Sequence, residues 1–392
     1  MIPKKRPLYV FHTESIYLRG GEKYLYEILR RVAKDRPVVL YLHAVSPWWR
    51  SRYTHAGVSV FSLWRPRRLY WLCIPLTILI DYISVRQAIK RDDVIFATNF
   101  PMNFLAVSLS HNTICHCAEP LPIFYDRVRI NSLPLFSQLC VFLAKLAYAP
   151  WDSWSYQRCS LLTTLNPSVE KHVLNVHKRK PDIFLTNGVD DQRFYPAIKS
   201  TPRKRFVIGH STDYTVFKGT QDFLAAINVL HKSGVNFQAF ISESIRDPKM
   251  KRVYLSYIKE HNLQKNISFV GTLSEHNLAK FYKNLDVFVF TGSPEGSGAA
   301  AASLSVLEAQ ACGVPVVRSI GEDFEIVEGK TGYHTDPHDG KATAFAIRKI
   351  LSKSYTQKKK MGDEARKHVT KFFSWNTTTN VLNKTIKGLS DK

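Results

Sequence analysis

Two successive series of alternating strand-like and helix-like segments constrain this chain most strongly. A buried strand-like run at 7–13 is followed by apolar residues at helical spacing over 20–34 and by a second run at 37–44. The same order begins again with a strand at 205–211 and a helix at 220–234. Further strands are predicted at 93–99, 160–166, 237–243, 267–272, 286–292 and 315–319, and further helices near 248–262, 341–353 and 375–389. Because strand, helix and strand in succession produce parallel strands, the pattern predicts an α/β fold of two tandem Rossmann-like domains.

A stretch with two prolines and a basic cluster, YPAIKSTPRKR at 195–205, separates the two series. It predicts a linker at 196–204 between an amino-terminal domain (1–195) and a carboxyl-terminal domain (205–370). Ligands of such sheets bind at the carboxyl ends of the strands, so we expect a site in a central cleft that the two domains face.

The formal net charge of +23 predicts anionic partners. Two segments, 47–54 and 63–72, interleave Trp and Tyr with Arg, which suits a lipid headgroup region. Such segments also stack on single-stranded nucleic acid or form a solvated basic face, and we rank those alternatives lower. The predicted membrane contacts are Trp48, Trp49, Arg50, Trp64, Arg65, Arg67, Arg68 and Trp71.

Cellular location follows from what the sequence does not contain. The six cysteines are scattered in apolar sequence, as is typical of a reducing compartment, and the amino terminus does not have the pattern of a secretory signal. The most apolar run, 69–84, is short for a membrane span and contains Pro75 and Asp81. We therefore expect a cytoplasmic protein associated peripherally with a membrane.

A loop of small residues, TGSPEGSGAAAASLSVLEAQACGVPVV at 291–317, leaves a strand and enters a helix that begins near Ser303 or Ser305. Free N–H groups at a helix start bind phosphate. Gly296 and Gly298 have no side chain to keep a ligand away from the backbone. The loop therefore predicts a phosphate-binding site.

Two carboxylates accompany this loop, and carboxylates accept hydrogen bonds from sugar hydroxyls. Together with the phosphate-binding amides, Glu295 and Glu308 predict a nucleotide-sugar site. Spacing alone favours simpler explanations: Glu295 as an exposed loop acid, and Glu308 as the last residue of a capping box at 305–308.

The same stretch resembles the signature of family 4 glycosyltransferases, which are retaining enzymes of the two-Rossmann GT-B architecture. Their two glutamates stand closer together, and removal of 299–303 from this chain restores their spacing. The five-residue insertion AAAAS extends the helix by about one turn or enlarges the loop. Other segments resemble the family in the same order: 20–29, 185–196, 217–226, 270–296, 325–339 and 371–375. In that fold a terminal helix, here 371–392, crosses back to the first domain.

The resemblance implies roles for individual residues. Lys218 would contact the donor diphosphate, although a solvated surface lysine is the simpler alternative. Glu308 would accept hydrogen bonds from the nucleotide ribose, and Glu295 would contact the donor sugar. Gly20 and Gly21 would let the first domain close over the diphosphate. The implied donor-binding set is Gly20, Gly21, Lys218, Glu295, Gly296, Ser297, Gly298, Leu304 and Glu308.

Two positions depart from the family pattern. Asp213 stands where the family has Arg, so part of the diphosphate contact must come from elsewhere, such as His210, Ser211 or backbone amides. Glu322 stands where the family often has Gly.

The loop 116–126 resembles a segment in which a family histidine approaches the reacting sugar, but Ala118 occupies that position. His116 and Glu119, with Glu295, are therefore the catalytic candidates, and an ordinary hydrogen-bonded loop histidine is the alternative for His116. His12, at the end of the first strand, is a further candidate for the cleft.

These inferences predict a retaining glycosyltransferase of the hexosyltransferase type that acts on a lipid-linked or polysaccharide acceptor. We expect no cofactor besides the nucleotide diphosphate-sugar donor, and no metal, because the chain shows no aspartate pair of the metal-binding sort. A sugar-nucleotide epimerase of similar fold is the alternative. A nucleic-acid-binding protein is a weaker one, so no nucleic-acid partner is expected. The donor base, sugar, linkage and oligomeric state stay open.

Overall fold

The computed structural model describes most of the chain, in two compact units. It describes residues 5–17, 20–65, 70, 73–131, 133–197, 205–215, 218–244, 247–292, 303–319 and 324–391, without the side chains of 128 and 129. Unit 1 comprises Met1–Asn187 and Trp375–Lys392, and unit 2 comprises Gly188–Ser374. Of the predicted linker 196–204, the structure describes only the first two residues.

Unit 1 is built on a seven-stranded sheet in the order β3-β2-β1-β4-β5-β6-β7, with every neighbouring pair parallel. Its strands are β1 (Leu8–Ser15), β2 (Val38–Val45), β3 (Val58–Ser62), β4 (Ile95–Thr98), β5 (Thr113–His116), β6 (Leu161–Thr164) and β7 (Ile183–Phe184). Its first helices are α1 (Gly20–Val32), α2 (Pro47–His55), α3 (Ile74–Val85) and α4 (Met102–Leu109). These are followed by α5 (Pro122–Tyr125), α6 (Arg127–Asn131), α7 (Leu135–Arg158) and α8 (Pro167–His177).

Unit 2 is built on a six-stranded sheet in the order β10-β9-β8-β11-β12-β13, again with parallel neighbours. Its strands are β8 (Phe206–Thr212), β9 (Phe237–Glu243), β10 (Ile267–Gly271), β11 (Val287–Phe290), β12 (Val316–Ser319) and β13 (Gly332–Thr335). Its helices are α9 (Thr220–Lys232), α10 (Pro248–Glu260), α11 (Glu275–Lys283), α12 (Leu304–Ala311), α13 (Gly340–Leu351) and α14 (Tyr355–Phe372). The predicted pair of doubly wound parallel sheets is confirmed.

Apolar composition explains the central strands. All four residues of β4 (IFAT) and of β11 (VFVF) are buried, because helices cover both faces of each sheet. Strands β1 to β3 follow one another towards one edge of the unit 1 sheet, and strands β4 to β6 follow one another towards the other edge. Because such crossovers are right-handed, α1 and α2 lie on one face of the sheet, and α4 and α7 lie on the other. Both α3 and α7 pack against α4.

The last helix, α15 (Trp375–Ser390), packs against α1 and belongs to unit 1. The Trp375 ring is buried edge-on against Tyr24, with their centroids 5.9 Å apart. Thr378 Oγ1 donates a hydrogen bond to Thr186 O at 3.0 Å. The chain therefore returns to the unit in which it began. Within the described residues, no helix combines the length and apolar character needed to cross a membrane.

Candidate functional site

The carboxyl edge of the unit 2 sheet carries three of the predicted donor residues that the structure describes. Strands β8 and β11 end here, and residues 213–219 and 291–303 follow them in the chain. Glu295, Gly296, Ser297 and Gly298 lie outside the described residues, as does Glu322. Lys218, Leu304 and Glu308 can therefore be placed at this edge.

A tight glycine turn positions Lys218. Gly219 has a φ of +62°, and a Cβ atom added there would lie 1.7 Å from the carbonyl oxygen of Thr291. The Thr291 hydroxyl donates a hydrogen bond to Gly219 O at 2.6 Å. Lys218 Nζ lies 5.6 Å from the centroid of the Phe290 ring. The close approach of these two loops thus holds a lysine ammonium group at the end of β11.

The start of α9 is fixed to the end of β8 by a buried polar cluster. The hydroxyls of Thr212 and Thr220 lie 2.6 Å apart, and His210 Nε2 lies 3.2 Å from Thr220 Oγ1. His210 Nδ1 lies 2.9 Å from Val289 O, so both ring nitrogens have partners within the fold. Burial lowers the pKa of His210 to about 4, and the ring is neutral near pH 7. The suggestion that His210 replaces the family's arginine is therefore wrong.

Asp213, at the position of that arginine, shapes its own loop. Its Oδ1 accepts hydrogen bonds from the backbone N of Thr215 at 3.0 Å and from the Thr215 hydroxyl at 2.6 Å. Such a turn is a usual role of a short acidic side chain. Ser211, the other suggested replacement, has its Oγ 2.6 Å from Ser242 Oγ. The remaining suggestion, that backbone amides at this edge replace the family's arginine in contacting the diphosphate, stays a prediction.

Glu308 lies inside α12 and does not cap it. The helix starts at Leu304 after Ser303, whose backbone is extended and whose side chain forms no capping hydrogen bond. Ser305 is therefore already helical, and the capping-box explanation for Glu308 is wrong. The extended Ser303 also means that α12 does not continue backwards through this last residue of the predicted insertion.

The Glu308 carboxylate is buried near the hydroxyl of a tyrosine. Glu308 is 4% exposed, and its carboxylate interacts electrostatically with the Tyr282 hydroxyl on α11. Tyr282 also contacts Ser211, and burial raises its pKa well above its usual value. Sequence reasoning missed this tyrosine, because no spacing rule links α11 to a glutamate on α12.

Arg318 at the end of β12 is a second cation near the Phe290 ring. Its guanidinium carbon lies 5.7 Å from the ring centroid, and it forms a buried ion pair with Glu325. Because this pair is electrically neutral as a whole, Arg318 does not supply the net positive charge that the arginine missing at Asp213 would have added. Sequence reasoning missed this pair also.

In unit 1, the predicted glycines stand at the start of α1. Gly20 and Gly21 are the first two residues of the helix and are exposed. A Cβ atom added at Gly21 would meet no atom within 4 Å. Packing against the described residues of unit 1 therefore does not require glycine at this position.

His116 is part of the core of unit 1. The side chain is 1% exposed and lies between Tyr24 and Phe96, with ring centroids 5.0 and 5.9 Å away. Its Nδ1 lies 3.0 Å from Thr163 Oγ1, and burial lowers its pKa to about 3. This enclosure leaves no approach for a substrate, so the catalytic assignment of His116 is wrong for this structure.

The other two candidates of unit 1 lie near the ends of its strands. Glu119 is half-buried, three residues after β5. His12 Nδ1 lies 2.5 Å from Thr98 Oγ1, and burial lowers the pKa of His12 to about 4. The roles of Glu119 and His12 stay predictions.

The structure describes five of the eight predicted membrane contacts, and these five differ in exposure. Trp49 is 2% exposed and its Nε1 donates to Tyr17 O at 2.8 Å, so it is a core residue and not a membrane contact. Trp48 is exposed on α2, and Arg50 is bonded to Val60 O at 3.1 Å. Trp64 and Arg65 are exposed after β3, whereas Arg67, Arg68 and Trp71 lie outside the described residues.

Among the residues that the structure describes, no three His, Cys, Asp or Glu side chains lie together as a metal site.

Solved structures identify the class of fold. The glycosyltransferase from Rickettsia africae ESF-5 matches 98% of both chains with a TM-score of 0.77 at 18% identity. Anabaena Alr3699/HepE in complex with UDP-glucose matches 98% of this chain and 100% of its own, with a TM-score of 0.72 at 15% identity. The protein has the GT-B fold of such glycosyltransferases.

Sequence comparison identifies the domain of unit 2. Residues 191–368 match the family model described as Glycosyl transferases group 1. The capsular polysaccharide biosynthesis glycosyltransferase CapM of Staphylococcus aureus is 29% identical over 175 residues, which cover 43% of this chain and 42% of CapM. The GDP-mannose-dependent monoacylated alpha-(1-6)-phosphatidylinositol monomannoside mannosyltransferase of Corynebacterium glutamicum is 27% identical over 204 residues, 49% of this chain and 52% of the relative. Unit 2 thus carries a group 1 glycosyltransferase domain, and the resemblance drawn from the motifs is confirmed.

Proposed function

We propose that this protein is a retaining glycosyltransferase that moves a sugar from a nucleotide diphosphate-sugar to a lipid-linked or polysaccharide acceptor at a membrane surface. The observation that carries the proposal is the group 1 domain at 191–368, which includes Lys218 and Glu308 at the carboxyl edge of its sheet. The names of the two curated relatives support the acceptor classes, because one refers to capsular polysaccharide and the other to a phosphatidylinositol mannoside.

In this proposal the diphosphate binds beside Lys218. An ammonium group is a compact point charge that suits phosphate oxygens. The first turns of α9 and α12 add backbone N–H groups that have no partner within their own helices. These groups stabilise the negative charge that grows on the diphosphate as the glycosidic bond breaks.

Glu308 binds the ribose. A carboxylate has about four acceptor sites and can therefore accept hydrogen bonds from two ribose hydroxyls. Glu295, by its resemblance to the family, contacts the donor sugar.

Transfer replaces one bond of the sugar by another. The bond from the anomeric carbon to the diphosphate oxygen breaks, and the acceptor hydroxyl oxygen bonds to that carbon from the same face. The acceptor proton passes to the departing phosphate. Configuration is thereby retained, and the charge stabilisation assigned to Lys218 and the backbone amides requires no metal.

The test is a thermal-shift panel of nucleoside diphosphates and their sugars, since a ligand that binds only the folded state raises its apparent stability. We expect one nucleotide class to raise the melting temperature of the wild-type protein. Lys218→Ala and Glu308→Gln should abolish most of that rise. Lys232→Ala, which removes an exposed lysine from the other end of α9, is the matched control and should keep it.

A rise that both site variants retain would contradict the donor-site assignment. Incubation with the donor alone separates the epimerase alternative, which needs no acceptor. The family model and the relatives named above are glycosyltransferases and do not favour that alternative.

A further inference from the structure

The outward face of α7 is apolar over four turns. Every exposed residue between 135 and 150 is apolar. The large ones are Leu135, Phe136, Leu139, Phe142, Leu143 and Leu146, with exposed fractions from 53% to 83%. A surface helix of a globular protein normally turns charged and polar side chains outwards, so α7 has the reverse of the usual pattern.

The outward face of α3 has the same character. Leu76, Leu79 and Ile83 follow helical spacing and are each at least half exposed. Both helices pack against α4, and both contribute to one buried cluster with Ile78 on α3 and Val141 on α7. We call the two outward surfaces together the α3–α7 apolar face.

The packing of these helices in the core does not account for the apolar residues on their outward faces. Phe100, Phe124 and Tyr148 are among the buried residues that fill the space beneath α3 and α7. Each helix is therefore already anchored by a core of its own. An exposed apolar patch of this extent on a folded unit marks an interaction surface.

The charged residues on and beside α3 and α7 indicate what kind of partner the apolar face binds. Within α3 and α7, all of whose residues the structure describes, the acidic residues are Asp81 and Asp152, and both are buried. Exposed basic residues stand beside these helices: Arg127 on α6, Arg86 after α3 and Arg158 at the end of α7. An apolar face bordered by cations complements an anionic lipid surface.

We propose that the α3–α7 apolar face docks on an anionic membrane and that α7 lies in the plane of the interface. Leucine and phenylalanine side chains enter the boundary between headgroups and acyl chains, about 5–10 Å deep for such helices. Trp154, exposed near the end of α7, takes the headgroup level that tryptophan favours. The inference deepens the proposed function, because a lipid-linked acceptor would be met at this face.

This assignment moves the membrane contact away from α2. Trp48 and Arg50 lie on the opposite face of the unit 1 sheet, by the handedness of the crossovers. Trp64 and Arg65 precede α3 and fit the margin of the new face.

The experiment is flotation of the full-length protein with vesicles of phosphatidylcholine alone or mixed with phosphatidylglycerol. We expect the wild-type protein to float with the anionic vesicles. Phe142→Glu and the double variant Leu139→Glu/Leu143→Glu should weaken the partition by about tenfold or more, because a buried charge opposes insertion. Phe345→Glu is the matched control: Phe345 is 69% exposed on helix α13 of unit 2, and its variant should float like the wild type.

Cys140 offers a second measurement on the same face. Of the six cysteines, all within the described residues, only Cys140 is exposed. An environment-sensitive fluorophore attached there should shift its emission to the blue on anionic vesicles. An unchanged spectrum together with flotation of the Phe142→Glu variant would overturn the proposal.

The competing occupant is a second copy of the chain. A wild-type dimer that Phe142→Glu converts to a monomer, with no flotation of either form, would also overturn the proposal. The nucleotide thermal shift, measured on the same variants, distinguishes failure of the docking proposal from failure of the donor-site proposal. If flotation is lost and the nucleotide shift is retained, the docking face stands by itself; if the wild type shows no nucleotide shift but floats, only the donor site fails.

Discussion

Two buried histidines make the stability of this fold depend on pH. His116 and His210 are enclosed by aromatic rings, with Tyr24 and Phe96 around the first and Phe223 stacked on the second at 4.4 Å. Burial disfavours the charged imidazolium and lowers both pKa values, to about 3 and about 4. Both rings are therefore structural elements that tolerate only the neutral form.

The first prediction concerns acid stability. Below pH 6.5 the unfolded chain binds a proton at His116, whereas the folded chain does not until about pH 3. The free energy of unfolding should therefore fall as pH decreases through that window, by about 1.4 kcal/mol per pH unit for one such group. His116→Phe keeps an aromatic ring and removes the titration, so denaturant unfolding between pH 6.5 and 5 should show a shallower slope.

The control for this prediction is His276→Phe. His276 is exposed on α11 of unit 2, so this variant makes the same substitution outside the core of unit 1 and should keep the wild-type slope. Equal slopes for wild type and His116→Phe would mean that His116 is protonated in the folded protein.

Single turns decide where the helices of the site begin. Gly219 before α9 and Gly234 after it both have positive φ, of 62° and 69°. They differ in their surroundings, because a Cβ atom at Gly219 would collide with Thr291 O and one at Gly234 would meet no atom within 4 Å. The Gly219 turn thus depends on the close approach of two loops, and the position of Lys218 depends on that turn.

The second prediction compares alanine at these two positions. Gly234→Ala should cost about 1 kcal/mol, the usual penalty of a left-handed backbone. Gly219→Ala should cost about 4 kcal/mol or more, because the backbone of one loop must also move. Denaturant unfolding measures both, and equal costs would show that the contact with Thr291 is not tight.

At the scale of the whole chain, the last helix returns to unit 1. Trp375, Leu382, Ile386 and Leu389 are buried in unit 1, although unit 2 precedes them directly in the chain. Arg31 Nε donates to Asn376 Oδ1 at 3.0 Å, and Tyr24 OH donates to Leu185 O at 2.9 Å, so α1 is bound to segments distant in sequence.

The third prediction is made by truncation after Ser374. Loss of α15 uncovers α1, so hydrogen exchange of the amides in α1 should accelerate, while α9 in unit 2 should keep its protection. Accelerated exchange in both helices alike would show that the two units unfold as one.

Much of the fold followed from local patterns. The predicted strand at 237–243 coincides with β9, and the predicted helix at 220–234 contains α9. The two-residue strand β7 escaped prediction because so few residues show no period, and β3, β5 and β13 also escaped prediction. The 24-residue helix α7 escaped for another reason: apolar residues on both its inner and outer sides leave no amphipathic period.

The candidate site was predictable only in part. The order of motifs predicted that Lys218 and Glu308 follow the ends of two strands of the second sheet, and the structure has them there. Their roles in donor binding stay predictions. The order of motifs could not reveal that Tyr282 interacts with Glu308 or that Arg318 pairs with Glu325, because these partners come from different segments of the chain.

The amino-acid sequence by itself determined the two parallel sheets, their helices and the group 1 glycosyltransferase domain, because hydrophobic period and motif order are local properties. Only the tertiary structure decided that His116 and Trp49 are core residues and that α3 and α7 expose an apolar face. Burial depends on which sides of the helices and strands pack together, and identical local patterns are compatible with either outcome.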